Sequence, residues 1–375
     1  MQVDQPGTYF YHSRKFAPLA QNMNPANRRT DFEGQYPDGL RGALIVQDPT
    51  SPYIGQYDEE IVLTLSDWYH DSMWHLTSFY LNATIPTNDG SEPIPYSALI
   101  NDTQNLTLTV QPGKTYFLRV INFACFSQMY LHFDQHSLTI IEVDGTYTHP
   151  TTVDSIYLAV AQRYGVLLTT KLTAAQNYAV LGKLDETMFD GYGTDDYPSA
   201  DVIPNVNGYL VYDQKKPLPA PLTLTLDQLS ASVIDDFTLV PYDNMPLLQN
   251  PTQTFVFNLS FFTQDGQNRY GLRLHSPWYR TNWPYNRAGF NASTWLPQKV
   301  PSLFTAMTTG DAASQSLTYG LNANAMVLGY NEVIEVVINN FDNGSHPLHI
   351  HGHNVQLGKS NYLHSSIVIT EKSSW

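Results

Sequence analysis

The sequence predicts an all-β protein assembled from successive β-sandwich domains. Residues that favour strands are abundant, with 25 Tyr and 17 Phe beside frequent Thr, Val and Ile. Turn formers, 24 Pro and 22 Gly, cut the chain into short runs. Within those runs apolar residues recur at alternate positions, and long periods of 3.6 residues are hard to find. At 375 residues the chain exceeds one ordinary core, so two or three domains are expected.

The first block, residues 1–55, begins with GTYFYHS, a β-like aromatic run that delivers His12. A polar, asparagine-rich segment behind it, 14–31, lacks strand alternation and reads as an insertion. GLRGALIV (Gly39 to Val46) is a turn followed by a buried strand, and QDPTSP (Gln47 to Pro52) closes the block. The second block, 56–215, opens with the alternating strand EIVLTLSDWY. LTLTVQPGKTYFLRVINF (Leu106 to Phe123) then predicts two strands around a Pro-Gly turn, and SLTIIEVDG a further strand. KKPLPAPL (Lys215 to Leu222) favours an extended joint. The third block, 222–375, contains EVIEVVINNFDNGSHPLHIHGHNVQL. Short strands at this spacing suggest sandwiches or Greek-key barrels.

A formal charge of −15 disfavours nucleic acid, which demands clustered Lys and Arg. Small cationic or neutral partners are easier to accommodate. The single cysteine, Cys125, excludes an intrachain disulfide and leaves the compartment open. Asn-x-Ser/Thr sequons at Asn82, Asn101, Asn105, Asn258, Asn291 and Asn343 suit the surface loops of a secreted or cell-surface glycoprotein. No apolar run is long enough to span a membrane and no signal peptide stands at Met1, so a secreted form is expected to start further upstream.

HPLHIHGH concentrates His346, His349, His351 and His353. Imidazole suits copper and zinc, and copper binds most tightly among the first-row divalent ions. On an extended segment His349 and His351 share a face, with His346 at its entry. A plain surface cluster or an adventitious zinc site is the alternative reading of these residues.

Together, HPLHIHGH, GTYFYHS, GQYPDGLRGALIV, LSDWYH and AQRYGVLL resemble a multicopper oxidase of the laccase and fungal iron-oxidase group. The resemblance implies cupredoxin-like Greek-key domains, the first and third incomplete. It also implies copper of types 1, 2 and 3, which couples one-electron oxidation of a small substrate to four-electron reduction of O2. By this resemblance His346 matches the type 1 ligand, His349 the type 2 ligand, and His351 and His12 type 3 ligands. His353 follows the motif and matches no ligand. The family's first His-x-His motif and its His-Cys-His motif have no counterpart here. Cys125, in NFACFSQ without flanking histidines, reads as a core thiol instead. A chain with this ligand set is not expected to turn over by itself. No catalytic residue beyond the ligands is assigned.

A splicing reading accounts for the gaps. Arg14-Lys15-Phe16 can be encoded CGTAAGTTT, which contains the donor-like GTAAGT. Thr30-Asp31 can supply an acceptor CAG, and Ala26-Asn27 a branch-point-like CTAAC. Excision would join the first base of codon 14 to the last two of codon 31, restoring His-Ser-His ahead of Phe32. Gly358-Lys359-Ser360 can hide a second donor, ahead of a tail, KSNYLHSSIVITEKSSW, that lacks the family pattern. Sequencing the cDNA tests this hypothesis, and transcripts that keep both segments with no spliced form would refute it.

For the substrate, the resemblance points to Asp134, Asp235 or Asp236, and Trp295. Fe(II) prefers oxygen ligands, so a short aspartate and an oxygen-free Trp295 lean away from iron. A Trp face suits a flat phenolic compound such as a pigment precursor. Aromatic oxidation is therefore the expected reaction. Fe(II) oxidation in iron uptake, with a membrane permease as partner, is the alternative, and a non-catalytic copper-binding fragment is a third reading.

Overall fold

The structure is a computed structural model. It describes residues 5–13, 34–80, 92–189, 201–264, 285–295, 298, 300–320, 323–342, 344–357 and 365–370. The predicted insertion at 14–31, the sequons at Asn82 and Asn343, and the second donor-like segment at 358–360 lie outside the described residues. The fold is all-β with short helices, as the sequence predicts.

In the first compact unit, β1 (Gly7–His12) and β2 (Arg41–Val46) form an antiparallel pair in which His12 faces Arg41. They lie against a two-sheet sandwich. One sheet has the order β4-β3-β6-β11-β8-β9, from β3 (Glu59–Trp68), β4 (Ser97–Ile100), β6 (Thr115–Asn122), β8 (Leu138–Val143), β9 (Thr146–Val153) and β11 (Arg163–Thr169). The other has the order β10-β7-β12-β13-β5, from β5 (Thr107–Thr109), β7 (Met129–Phe133), β10 (Ser155–Leu158), β12 (Tyr178–Leu184) and β13 (Asn205–Val211). The predicted turn between β5 and β6 is present, with Gly113 at φ 71°, a conformation that favours glycine.

β6 reads TYFLRVIN and is buried along almost its whole length because both of its faces are covered. Tyr116, Leu118 and Val120 meet the other sheet with Leu63, Phe133 and Val166. Phe117 faces outward onto Tyr53 and Ile141. A buried charge cluster on that outer face fixes β1. Glu142 accepts the Thr8 N–H at 2.7 Å, Arg119 donates to the Thr8 hydroxyl at 3.0 Å, and Arg163 donates to the Thr8 carbonyl at 3.0 Å. Arg119 also pairs with Glu60 at 2.8 Å, so its buried guanidinium is compensated. Thr8, Phe10 and His12 share one face of β1, and this clamp sets where the strand delivers His12.

The helix α1 (Met73–Tyr80) starts with the Met73 N–H on Asp38, at 2.8 Å. The proline-rich joint at 215–222 opens in a turn rather than an extended run, with the Lys216 N–H on the Asp213 carbonyl at 3.1 Å, and the chain goes on covering the second domain beyond it, so this compact unit runs to Met245. There α2 (Leu226–Ser230), capped by Thr225, buries Leu229 against Tyr130 and Leu181. Leu222, Leu224 and Leu226 add to the same cluster, which is why the segment stays on the sheet.

The second unit carries one sheet of order β15-β14-β16-β18-β17. Its strands are β14 (Gln253–Gln264), β15 (Tyr285–Phe290), β16 (Val333–Asn340), β17 (Val355–Leu357) and β18 (Ser365–Thr370). A helix, α3 (Ser302–Thr308), lies between β15 and β16 in the chain. This sheet repeats the second domain in register. β14 pairs in parallel with β16 and antiparallel with β15, as β3 does with β6 and β4. The corners match too. Asn101 and Asn291 both have positive φ, 50° and 53°, and accept the N–H of Thr64 at 2.7 Å and of Asn258 at 3.0 Å. Aligned on that corner, Leu118 corresponds to Val336 and Val120 to Ile338. β18 then takes the slot of β11, with Ile367 opposite Val336 as Val166 is opposite Leu118. Among the described residues no helix is long and apolar enough to cross a membrane.

Candidate metal centre

The histidine run follows β16 through a turn braced by its own side chains. Asn340 accepts the Asp342 N–H at 3.0 Å and donates to the Gly344 carbonyl at 2.7 Å, and Asp342 accepts the Gly344 N–H at 2.8 Å. Asp342 also meets His346 Nε2 at 2.8 Å. A carboxylate only accepts, so Nε2 carries the proton and the lone pair of His346 lies on Nδ1. A partner of this kind orients a metal-binding imidazole.

From Pro347 to His353 the chain forms no strand, and Leu348 is exposed beside the histidines. Ile350 packs inward against Ile334, Val336 and Ile338, while His349 and His351 are exposed. Their ring centroids are 4.8 Å apart at an interplanar angle of 76°. His353 turns back, its Nδ1 3.0 Å from the His351 carbonyl.

The donor set fits copper in kind and falls short in number. His349 and His351 offer two adjacent imidazoles, and His346 is oriented by Asp342. Among the described residues, no three His, Cys, Asp or Glu side chains converge to hold a metal ion. His12 ends β1 in the other unit, exposed, its ring 4.9 Å from Tyr36 and 5.5 Å from Phe10. Cys125 does not supply a thiolate. Burial, then the nearby Asp67 charge, pushes its thiol up to about 12, and its N–H is held by Asp67 at 2.9 Å.

Of the expected substrate residues, Asp134, Asp235 and Asp236 lie in the first unit and Trp295 in the second. Asp134 leaves β7 on a turn, its N–H on the Ala179 carbonyl at 2.9 Å. Asp236 sits at the entry of β11, accepting from the Tyr164 hydroxyl and, at 2.7 Å, from Gln162. The loop 123–128 joins the end of β6 to the start of β7, and Ile121 near the end of β6 pairs with Arg163 at the start of β11. The exit of β7 and the entry of β11 therefore lie at opposite ends of the sandwich, and Asp134 and Asp236 are not brought together. Asp235 caps the short turn after it, accepting the Phe237 N–H at 3.1 Å. Trp295 is an exposed loop residue of the second unit.

Two functional features escape a reading by motif. Asp342 precedes His346 by a single helical-turn spacing in DNGSH, a pattern that could have flagged it. The other is a counterpart of the histidine turn in the second domain. There HFDQH ends β7 in the same two-residue turn as HIHGH, with the left-handed residue Gln135 (φ 56°) in place of Gly352 (φ 75°). Counted from that residue, His132 corresponds to His349, Asp134 to His351 and His136 to His353.

Comparison with known proteins is consistent with this geometry. Family models described as multicopper oxidase match residues 59–212 and 295–366. The iron transport multicopper oxidase FET3 of Gibberella zeae is 41% identical over 94% of this chain and 50% of its own length. The iron transport multicopper oxidase fetC of Epichloe festucae is 42% identical over the same shares. The crystal structure of Fet3p, described as a multicopper oxidase that functions in iron import, superposes with TM-score 0.79 at 34% identity, covering 95% of this chain and 59% of that one. A laccase from Botrytis aclada, at 21% identity and TM-score 0.71 over 98% of this chain and 65% of its own, shares the fold. The chain spans about half the length of the curated relatives it matches.

Proposed function

We propose, on the premise that this chain belongs to the multicopper oxidase family, that it is part of a copper-dependent oxidase that oxidises Fe(II) at the expense of O2. The observation that carries the choice of substrate is the likeness to iron transport multicopper oxidases, 41–42% identical across nearly the whole chain. The aromatic substrate expected from Trp295 has weaker support, since the laccase likeness speaks for the fold alone. Trp295 stands exposed on a loop of the second unit.

Bound copper would supply one-electron redox chemistry with O2 as the final acceptor. On this chain His349 and His351 would hold copper, with His346, oriented through Asp342, and His12 contributing elsewhere to the full set. Asp134 takes the turn position that His351 takes in the third domain and presents carboxylate oxygen, which a hard Fe(II) ion prefers. Secretion, glycans at the sequons and a membrane permease as partner belong to the same proposal. Asn101 and Asn291 use both ends of the side-chain amide to hold the corners: each oxygen accepts a backbone N–H, and each nitrogen donates to a backbone carbonyl, Val62 at 3.4 Å and Val256 at 3.2 Å, so a glycan there would share its nitrogen with that bond.

Turnover of Fe(II) and of a phenol by the oxidase carrying the full set of histidine motifs separates the readings. The proposal expects Fe(II) to be the far better substrate, with Asp134→Ala lowering iron turnover and sparing the phenol. A phenol turned over faster than Fe(II) would sink it.

A further inference from the structure

We infer that His353 is a positioning residue: its ring clamps the carbonyl of His351 and fixes the turn on which the His349–His351 pair is displayed. The inference rests on the internal repeat. In both domains a left-handed residue follows the position of His351, at Gln135 and Gly352, and a strand begins three residues later, at Leu138 and Val355. In both, the intervening histidine turns its Nδ1 onto the carbonyl two residues back, 2.7 Å for His136 on Asp134 and 3.0 Å for His353 on His351.

The second domain shows how the lock is wired. A carbonyl only accepts, so His136 Nδ1 carries the proton and Nε2 is left as the acceptor. Tyr212 donates its hydroxyl proton to that Nε2 at 2.7 Å and accepts the Lys171 N–H at 2.7 Å. Every hydrogen in this chain of bonds is assigned by the neighbours. The position of His351 is occupied there by Asp134, so the lock forms without a pair of ligand-type histidines and is a property of the fold. In the third domain it matters more. Gly352 replaces Gln135 at the left-handed position, and glycine leaves the backbone freer to depart from that conformation. Without the His353 bond, His351 would keep its place in the sequence and lose its fixed direction.

That the displayed pair binds copper rests on the proposed function, so the test separates the two. The 13C shift of the His351 carbonyl in the metal-free 375-residue chain, which moves when the bond from the His353 ring is lost, reports the lock alone, and titration with Cu(II), followed by its EPR spectrum, reports the pair. His353→Leu is expected to shift the His351 carbonyl resonance and to weaken Cu(II) binding about tenfold with an altered EPR signal. His353→Asn, which keeps an N–H donor, is expected to restore most of both. His136→Leu is expected to leave Cu(II) binding unchanged. An unmoved His351 carbonyl resonance in His353→Leu, or equal effects in the Leu and Asn variants, overturns the lock. A wild-type chain whose His351 carbonyl carries the bond but which binds no Cu(II) overturns the copper reading of the pair and leaves the lock standing.

Discussion

The second and third domains place corresponding strands in the same slots and turn the same asparagine corner, yet among the described residues one has a closed core and the other does not. Leu118 and Val120 are fully buried, at 0% exposure, because the sheet β10-β7-β12-β13-β5 covers them. Their counterparts Val336 and Ile338 are each 8% exposed. Among the described residues the third domain has no second sheet, and Phe255, Phe257, Phe290 and Ile350 are the apolar side chains packed against its small buried cluster. The comparison shows that strand register and corner geometry need only local pairing, whereas a sandwich core needs both layers. It also shows that the histidine pair is displayed on the less supported domain.

The largest expected effect tests the cores directly. Leu118→Ala should cost ~2–5 kcal/mol, the range for emptying a well-packed site. Ile338→Ala, at the position corresponding to Val120, should cost less, near the ~2 kcal/mol lower end of that range, because the small cluster around it collapses more readily. Urea unfolding followed separately in each domain makes the measurement, and equal losses would break the comparison.

Next in size is the clamp that holds β1 to the second domain. Glu142→Leu removes the acceptor of the buried Thr8 N–H and one partner of Arg119. A loss of about 2 kcal/mol is expected, with faster exchange along Gly7 to His12 and no change in the third domain.

The smallest effect is on pH. Burial is the main reason that His132 and His136 are held below the ordinary histidine value. The unfolded chain therefore binds more protons than the folded one. The stability these groups contribute is complete above about pH 6.5 and declines as the pH falls from there through their lower folded values. The melting temperature of the second domain should fall on acidification in that window. His136→Leu should flatten the slope, and an unchanged slope would show that His136 does not report on this core.

Much of the architecture was legible because it is local. Alternation in EIVLTLSDW and Ile350 between two outward histidines follow from a period of two, and the turn before KTYFLRVIN follows from the backbone preferences of Pro and Gly. What sequence could not show depends on distant partners. Thr8 meets Glu142 across most of two domains, and nothing near either residue in the sequence announces the other. Leu222, Leu224 and Leu226 lie among prolines and read as a joint, though they pack on Tyr130 and Leu181. Asp342 reads as a turn residue until its carboxylate is seen against His346. The substrate carboxylates were placed by resemblance, which fixes residue type and position but not mutual distance. Trp295 pulled the reading towards an aromatic substrate, and whole-chain similarity, which a single side chain cannot carry, moved it to iron.

The central claim is that the histidine run is a copper-ligand segment whose complete centre requires more ligands than converge among the described residues. Purifying the 375-residue chain, loading it with copper, and recording metal content, the visible spectrum and O2 uptake with Fe(II) tests it most directly. The account predicts copper held through the His349–His351 pair, no intense blue thiolate band, since Cys125 stays protonated in the second domain, and no O2 consumption. A blue preparation that consumes O2 would contradict it.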